Sequence, residues 1–88
     1  MKLMTKEIER RFAKIGRQEG KGMGARVIAK FFHPLSDWRW YATEFSPEDR
    51  LFFGYVCGFE REWGPFSLDE MESVKVHGLG TERDLHFR

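Results

Sequence analysis

Five carboxylates are the first residues to weigh for chemistry: Glu44, Glu48, Asp49, Glu60 and Glu62 gather in the middle of the chain. Paired carboxylates serve as acid and base, or hold a divalent cation, when they converge at strand ends beside a Lys or His. No such motif is present. Glu48 and Asp49 fall in a Ser-Pro-Glu-Asp turn, where polar residues belong in any case, and Glu60 and Glu62 flank Arg61 in an exposed alternation. Glu44 stands out because strand alternation puts it on one face with Trp38 and Trp40, so burial there would demand an ion pair or a backbone donor. His33, His77 and His86 are far apart, and with Cys57 they match no zinc spacing. No serine has a glycine-elbow context. The residues therefore predict no catalytic set, no metal and no cofactor, and a non-enzymatic protein.

Binding chemistry is better represented. Lys6, Arg10, Arg11, Lys14, Arg17 and Lys21 load the N-terminal region with positive charge. Residues 1–33 hold nine Lys or Arg against three Asp or Glu, whereas residues 34–88 hold six against eleven. The formal net charge of +1 conceals this division. Such asymmetry marks a partner surface, nucleic acid or an acidic protein, unless the halves neutralise each other or are solvated. Trp38, Trp40, Tyr41 and Trp63 are the aromatic candidates. Set beside Lys30 and Arg39 on an exposed face they would form a platform for single-stranded nucleic acid. In a domain this small, two tryptophans on one strand face read first as core, with one left as an interface anchor.

The elements that must position these residues follow from periodicity. Thr5 caps a helix to Ile15, with Ile8, Phe12 and Ile15 on one stripe and Gly16 at its end. Residues 17–25 (RQEGKGMGA) form a mobile basic loop. Its GxGxG string lacks the strand before and helix after that a phosphate cradle needs. Residues 26–33 and 38–45 read as strands. Residues 51–57 (LFFGYVC) are nearly continuously apolar, as in a central strand, and Gly54 marks a bulge or close backbone approach. A short strand with Pro65 at an edge follows. Ser67-Leu68-Asp69-Glu70 is a capping box opening a helix through about Lys75. A loop at residues 77–81 and an extended segment at 83–87 complete the order α-β-β-β-β-α-β. The predicted class is α+β: a small antiparallel sheet of four to five strands with an N-terminal helix and a short C-terminal helix packed on it.

The 88 residues imply one domain, 1–88. Nine Phe, three Trp and two Tyr supply its core, each ring burying on the order of 150–250 Å². Cys57 is the lone cysteine, so no internal disulfide forms; a buried inert thiol and a reducing cytoplasm are expected. MKLMTKEIERRF has no apolar signal region, and no run is long enough to span a membrane.

The stretch W-x-WYATEF-x-P-E-x-x-LFFGYV-x-G, with ERDLHF at residues 82–87 and LMTKEI and QEGKG nearer the start, resembles the domain-of-unknown-function 2958 family over nearly the whole chain. That resemblance implies a small bacterial protein carried on plasmids, conjugative elements or phages, and brings no catalytic residues with it. Together these readings favour a protein-interaction role on a mobile element, as an inhibitor of a host defence nuclease of the restriction or CRISPR kind, with that nuclease or its nucleic-acid complex as partner. The alternatives are a nucleic-acid-binding module using the basic helix and glycine loop, and a small metal-dependent hydrolase. The partner surface is drawn from Lys6, Arg10, Arg11, Lys14, Arg17, Lys21, Arg39, Glu48, Asp49, Glu60, Glu62 and Trp63. A monomer, or a homodimer through an exposed edge strand, fits the sequence.

Overall fold

The computed structural model describes residues 2–87. Helix α1 spans Lys6–Ile15. The Thr5 hydroxyl accepts the Ile8 N–H at 3.2 Å, satisfying one orphan donor of the first turn. At the other end Gly16 takes φ 71° and donates its N–H to the Phe12 carbonyl. Only glycine adopts that backbone without strain, so the sequence stops the helix there.

Strands β1 (Ala29–Phe32), β2 (Arg39–Ser46), β3 (Leu51–Cys57), β4 (Arg61–Ser67) and the two-residue β7 (Glu82–Arg83) form one antiparallel sheet in the order β4-β3-β2-β1-β7. Helix α2 (Leu68–Ser73) follows β4, with the Ser67 hydroxyl accepting the Glu70 N–H. The fold is α+β, with an N-terminal helix, a five-stranded antiparallel sheet and a short C-terminal helix. Besides one-residue shifts at the end of β1 and at both ends of β2, three stretches differ from expectation. β1 opens at Ala29 rather than Arg26. α2 stops at Ser73, and the residues beyond it form a hairpin of β5 (Lys75–Val76) and β6 (Leu79–Gly80). His77 and Gly78 turn that hairpin with φ 52° and 80°, the two positive dihedrals of a type I′ turn. Residues 82 and 83 of the C-terminal segment pair with β1 and the Asp84 N–H donates to the Lys30 carbonyl at 2.9 Å, after which the Asp84 carboxylate accepts the His86 N–H and turns the chain.

Both helices cover one face of the sheet. Alternation sends Ala29, Phe31, Trp40, Ala42, Phe52 and Phe66 toward them, where they meet Leu3, Phe12, Leu68 and Met71. Phe52 is the hub: its ring lies 4.8 Å from Phe45, 5.1 Å from Phe31, 5.2 Å from Phe66 and 5.8 Å from Phe12. Each such pair contributes about 0.5–1.5 kcal/mol beyond its area burial. Gly54 sits opposite Ala42, and a Cβ there would overlap the Tyr41 carbonyl. Strands β2 and β3 therefore meet closely only because the position is glycine.

Helix α2 is docked by Arg50, a non-glycine residue at φ 53°. Its guanidinium donates to Asp69 at 2.7 Å and Glu72 at 2.9 Å, and its carbonyl accepts the Leu68 N–H. The hydrogen bond to Asp69 raises the arginine's pKa above its ordinary value. Part of the acidic charge of the second half is thus engaged within the domain.

Candidate functional site

Among the described residues no α-helix covers the second face of the sheet, only a loop with a single 3-10 turn at Gly22–Gly24, and its side chains are set by the strand register. Lys30 pairs with Tyr41, Tyr41 with Tyr55, and Tyr55 with Trp63. These four side chains form a line straight across the strands on the uncovered side. One step along the strands, Phe32, Arg39, Cys57 and Arg61 form a parallel line by the same register. Residues two apart on a strand are separated by about 6.5–7 Å, so the cationic line runs close beside the aromatic one. The rings are ordered by one another: Tyr55 meets Trp63 edge-on at 5.3 Å, and Phe53 lies nearly parallel to Trp63 at 6.2 Å. Cations sit on them as well. Lys30 Nζ is 5.5 Å from the Tyr41 ring and 4.0 Å from Asp84, and the Arg39 guanidinium is 5.6 Å from the Phe32 ring. Arg39 also donates to the carbonyls of Ser36 and Trp38, which holds it in place.

A β-bulge decides what else reaches this face. Ala42 pairs with Gly54 but Glu44 pairs with Phe53, leaving Thr43 as the extra residue of β2. The insertion reverses the alternation beyond it. Glu44 turns to the uncovered face beside Phe53, and Phe45 turns inward to Phe52. This corrects the expected grouping of Glu44 with Trp38 and Trp40. Nor does Glu44 form an ion pair among the described residues; its Oε2 accepts the Gln18 backbone N–H at 3.0 Å.

The glycine loop is pinned across the same face. Gln18 is buried, and its side-chain amide donates to the carbonyls of Arg26 and Thr43 at 2.8 and 2.7 Å while accepting the Arg26 N–H at 2.6 Å. One side chain thereby closes the loop and ties it to the bulge, where an untethered loop was expected. Two clefts open beneath. One runs between the loop and the Phe53 and Trp63 rings, with Thr43 and Glu44 in its wall. The other lies between Met23, Ala25 and Val27 on the loop side and Tyr41, Tyr55, Cys57, Arg61 and Trp63 on the sheet side. Trp63 and Ala25 line both. Cys57 is half-buried at this wall rather than sealed in the core.

Residues 3–88 match the family described as "Protein of unknown function (DUF2958)". The chain belongs to that family. No curated protein and no solved structure matches it.

In this DUF2958 protein the expected partner residues are dispersed. Lys6, Arg10, Arg11 and Lys14 are exposed on α1, which packs on the covered side of the sheet. Arg17 is exposed and pairs with Glu19 at 3.4 Å. Lys21 lies in the loop. Arg39 and Trp63 are the two that share the uncovered face. Glu48 and Asp49 are exposed in the β2–β3 turn, Glu60 in the β3–β4 turn, and Glu62 projects to the side opposite Trp63. Tyr55, Phe53, Arg61 and Gln18 join the site without having been singled out. Trp38 and Trp40 are half-buried and lie 5.7 Å apart on the covered side, where Trp38 also meets Phe59 edge-on.

His33 is buried and satisfied: Nδ1 accepts the Leu35 N–H, which assigns the Nε2 proton to its 3.1 Å contact with the Leu79 carbonyl. Among the described residues no three His, Cys, Asp or Glu side chains gather to hold a metal ion, and no helix is long and apolar enough to cross a membrane.

Proposed function

We propose that this DUF2958 protein is a non-enzymatic binding module whose uncovered sheet face takes single-stranded nucleic acid. One observation carries the reading: the line Lys30, Tyr41, Tyr55, Trp63 runs beside the line containing Arg39 and Arg61. Aromatic faces stack unpaired bases and neighbouring cations meet the phosphates, the combination that single-strand binders use. Among the described residues no three His, Cys, Asp or Glu side chains gather on that face. This moves the nucleic-acid reading from the basic helix to the sheet and its loop.

Fluorescence anisotropy with labelled eight-nucleotide DNA or RNA tests it. Binding should weaken with salt, with a logarithmic slope of about −2 if three cations engage phosphates. Trp63→Ala and Tyr55→Ala should each cost about 1–3 kcal/mol of affinity. Reversing Arg10, Arg11 and Lys14 should leave affinity nearly unchanged. A face that binds no oligonucleotide at low salt, or a helix reversal that abolishes binding, would refute the reading.

A second reading rests on a separate patch. Phe59 is 96% exposed at the β3–β4 turn, and Leu35, Trp38, Val74 and Val76 add apolar surface on the same end of the molecule. A protein partner fits such a surface, and the resemblance makes a host defence nuclease the partner to try. Protection of a plasmid or phage from restriction or CRISPR interference, lost on Phe59→Ser, would support it; no protection by the intact chain would end it.

A further inference from the structure

We infer that the cleft between the glycine loop and Trp63 is a nucleobase site that selects guanine, with Glu44 as its reading group. The inference rests on the single-strand reading above and adds a base preference to it. Phe53 and Trp63 make the cleft's flat apolar wall, and Gly20, Gly22 and Ala25 bring the loop over it without bulky side chains. Its volume of about 330 Å³ lies in the range of small-ligand sites. Besides Glu44, its polar lining residues are Gln18, whose amide is engaged by Arg26 and Thr43, Thr43 itself, and Glu19, which pairs with Arg17.

Glu44 is placed there by two independent devices. The bulge at Thr43 turns it out of the core, and the Gln18 N–H holds its Oε2 at 3.0 Å. No described residue hydrogen-bonds Oε1. Glu44 is half-buried and its Oε1 is not sealed from solvent, so that oxygen is free to accept from a ligand's donor. An ionised carboxylate only accepts, so it suits a base edge that presents donors side by side. Guanine does, with N1–H next to the N2 amino group. Adenine and cytosine each set one amino group beside a ring nitrogen acceptor, and thymine and uracil flank one N–H with two carbonyls. Those acceptors repel the carboxylate. Arg61 and the loop's Lys21 supply positive charge near the cleft for the phosphates on either side of the base.

The experiment compares anisotropy titrations of labelled dT8 with the same strand carrying one central dG, dA, dC or deoxyinosine, against the intact protein and Glu44→Gln. The guanine strand should bind roughly five- to a hundredfold more tightly than dT8, the range of a good two-point base contact. Inosine, which lacks the N2 amino group, should lose most of that gain; this arm is independent of whether any variant folds. Glu44→Gln should flatten the preference while still binding dT8, since its amide oxygen still accepts from Gln18. Equal affinity of the intact protein for all five strands would overturn guanine selection and leave the platform standing. Absence of binding to every strand would overturn both.

Discussion

The two faces of the sheet are both rich in aromatic side chains, yet they do different work. On the covered face Phe52 touches four other rings and is 1% exposed. Its neighbour in β3, Phe53, is 40% exposed and Trp63 beside it is 37% exposed. Residue type does not separate these rings. What separates them is whether α1 and α2 close over the face or only a glycine loop crosses it. The covered face gains stability from excluding water; the uncovered one holds its rings in register with cations and leaves room for a planar ligand.

Substitutions can break or sharpen that contrast. Phe52→Ala should cost about 3–5 kcal/mol in chemical denaturation, because the cavity would sit among four rings that cannot all close on it. Gly54→Ala should be similarly damaging, since the added methyl meets the Tyr41 backbone. Gln18→Ala should cost less, about 2–3 kcal/mol, by stranding the Arg26 N–H and the Arg26 and Thr43 carbonyls. Hydrogen exchange should show its effect concentrated in the loop, with the Arg26 amide losing protection while the β3 amides keep theirs. Trp63→Ala should lower unfolding free energy by only about 1–2 kcal/mol while removing a larger share of oligonucleotide affinity. A Trp63 variant that unfolds as readily as Phe52→Ala would erase the distinction between the faces. The smallest change is expected at Thr81, whose buried hydroxyl has no hydrogen-bond partner among the described residues. Thr81→Val should be neutral or stabilising by up to about 1 kcal/mol in thermal or chemical melts.

Local chemistry made much of the covered face legible. Thr5, the Ile8, Phe12, Ile15 spacing and Gly16 specify α1 within a residue, and the Ser67 capping box places the start of α2. Gly54 announced a close approach that Tyr41 confirms. The uncovered face was harder to read for three physical reasons. Residues 51–57 are apolar throughout, so the strand's pattern hides that Leu51 and Phe53 are exposed and only one side is packed. The extra residue in β2 is a threonine with no glycine or proline to betray a bulge, so plain alternation put Glu44 and Phe45 on the wrong sides. Gln18 sits in a polar, glycine-rich string where a solvated side chain is the ordinary outcome; its three bonds arise only when β2 arrives from far along the chain. The β5–β6 hairpin was within reach, because His77-Gly78 between short apolar residues is turn chemistry.

The bulge at Thr43 also bears on how this chain tolerates changes in length. Strand β2 is in effect written in two frames, one for Arg39 to Ala42 and the other for Glu44 to Ser46, with Thr43 as the spacer between them. Replacing any one residue leaves both frames intact. Deleting Thr43 would restore one-to-one pairing without moving either frame: Glu44 would follow Ala42 directly, still opposite Phe53 on the uncovered face, and Phe45 would still meet Phe52. A lost codon here would therefore spare both faces and fall on the loop tether, because the Gln18 amide would lose its Thr43 acceptor.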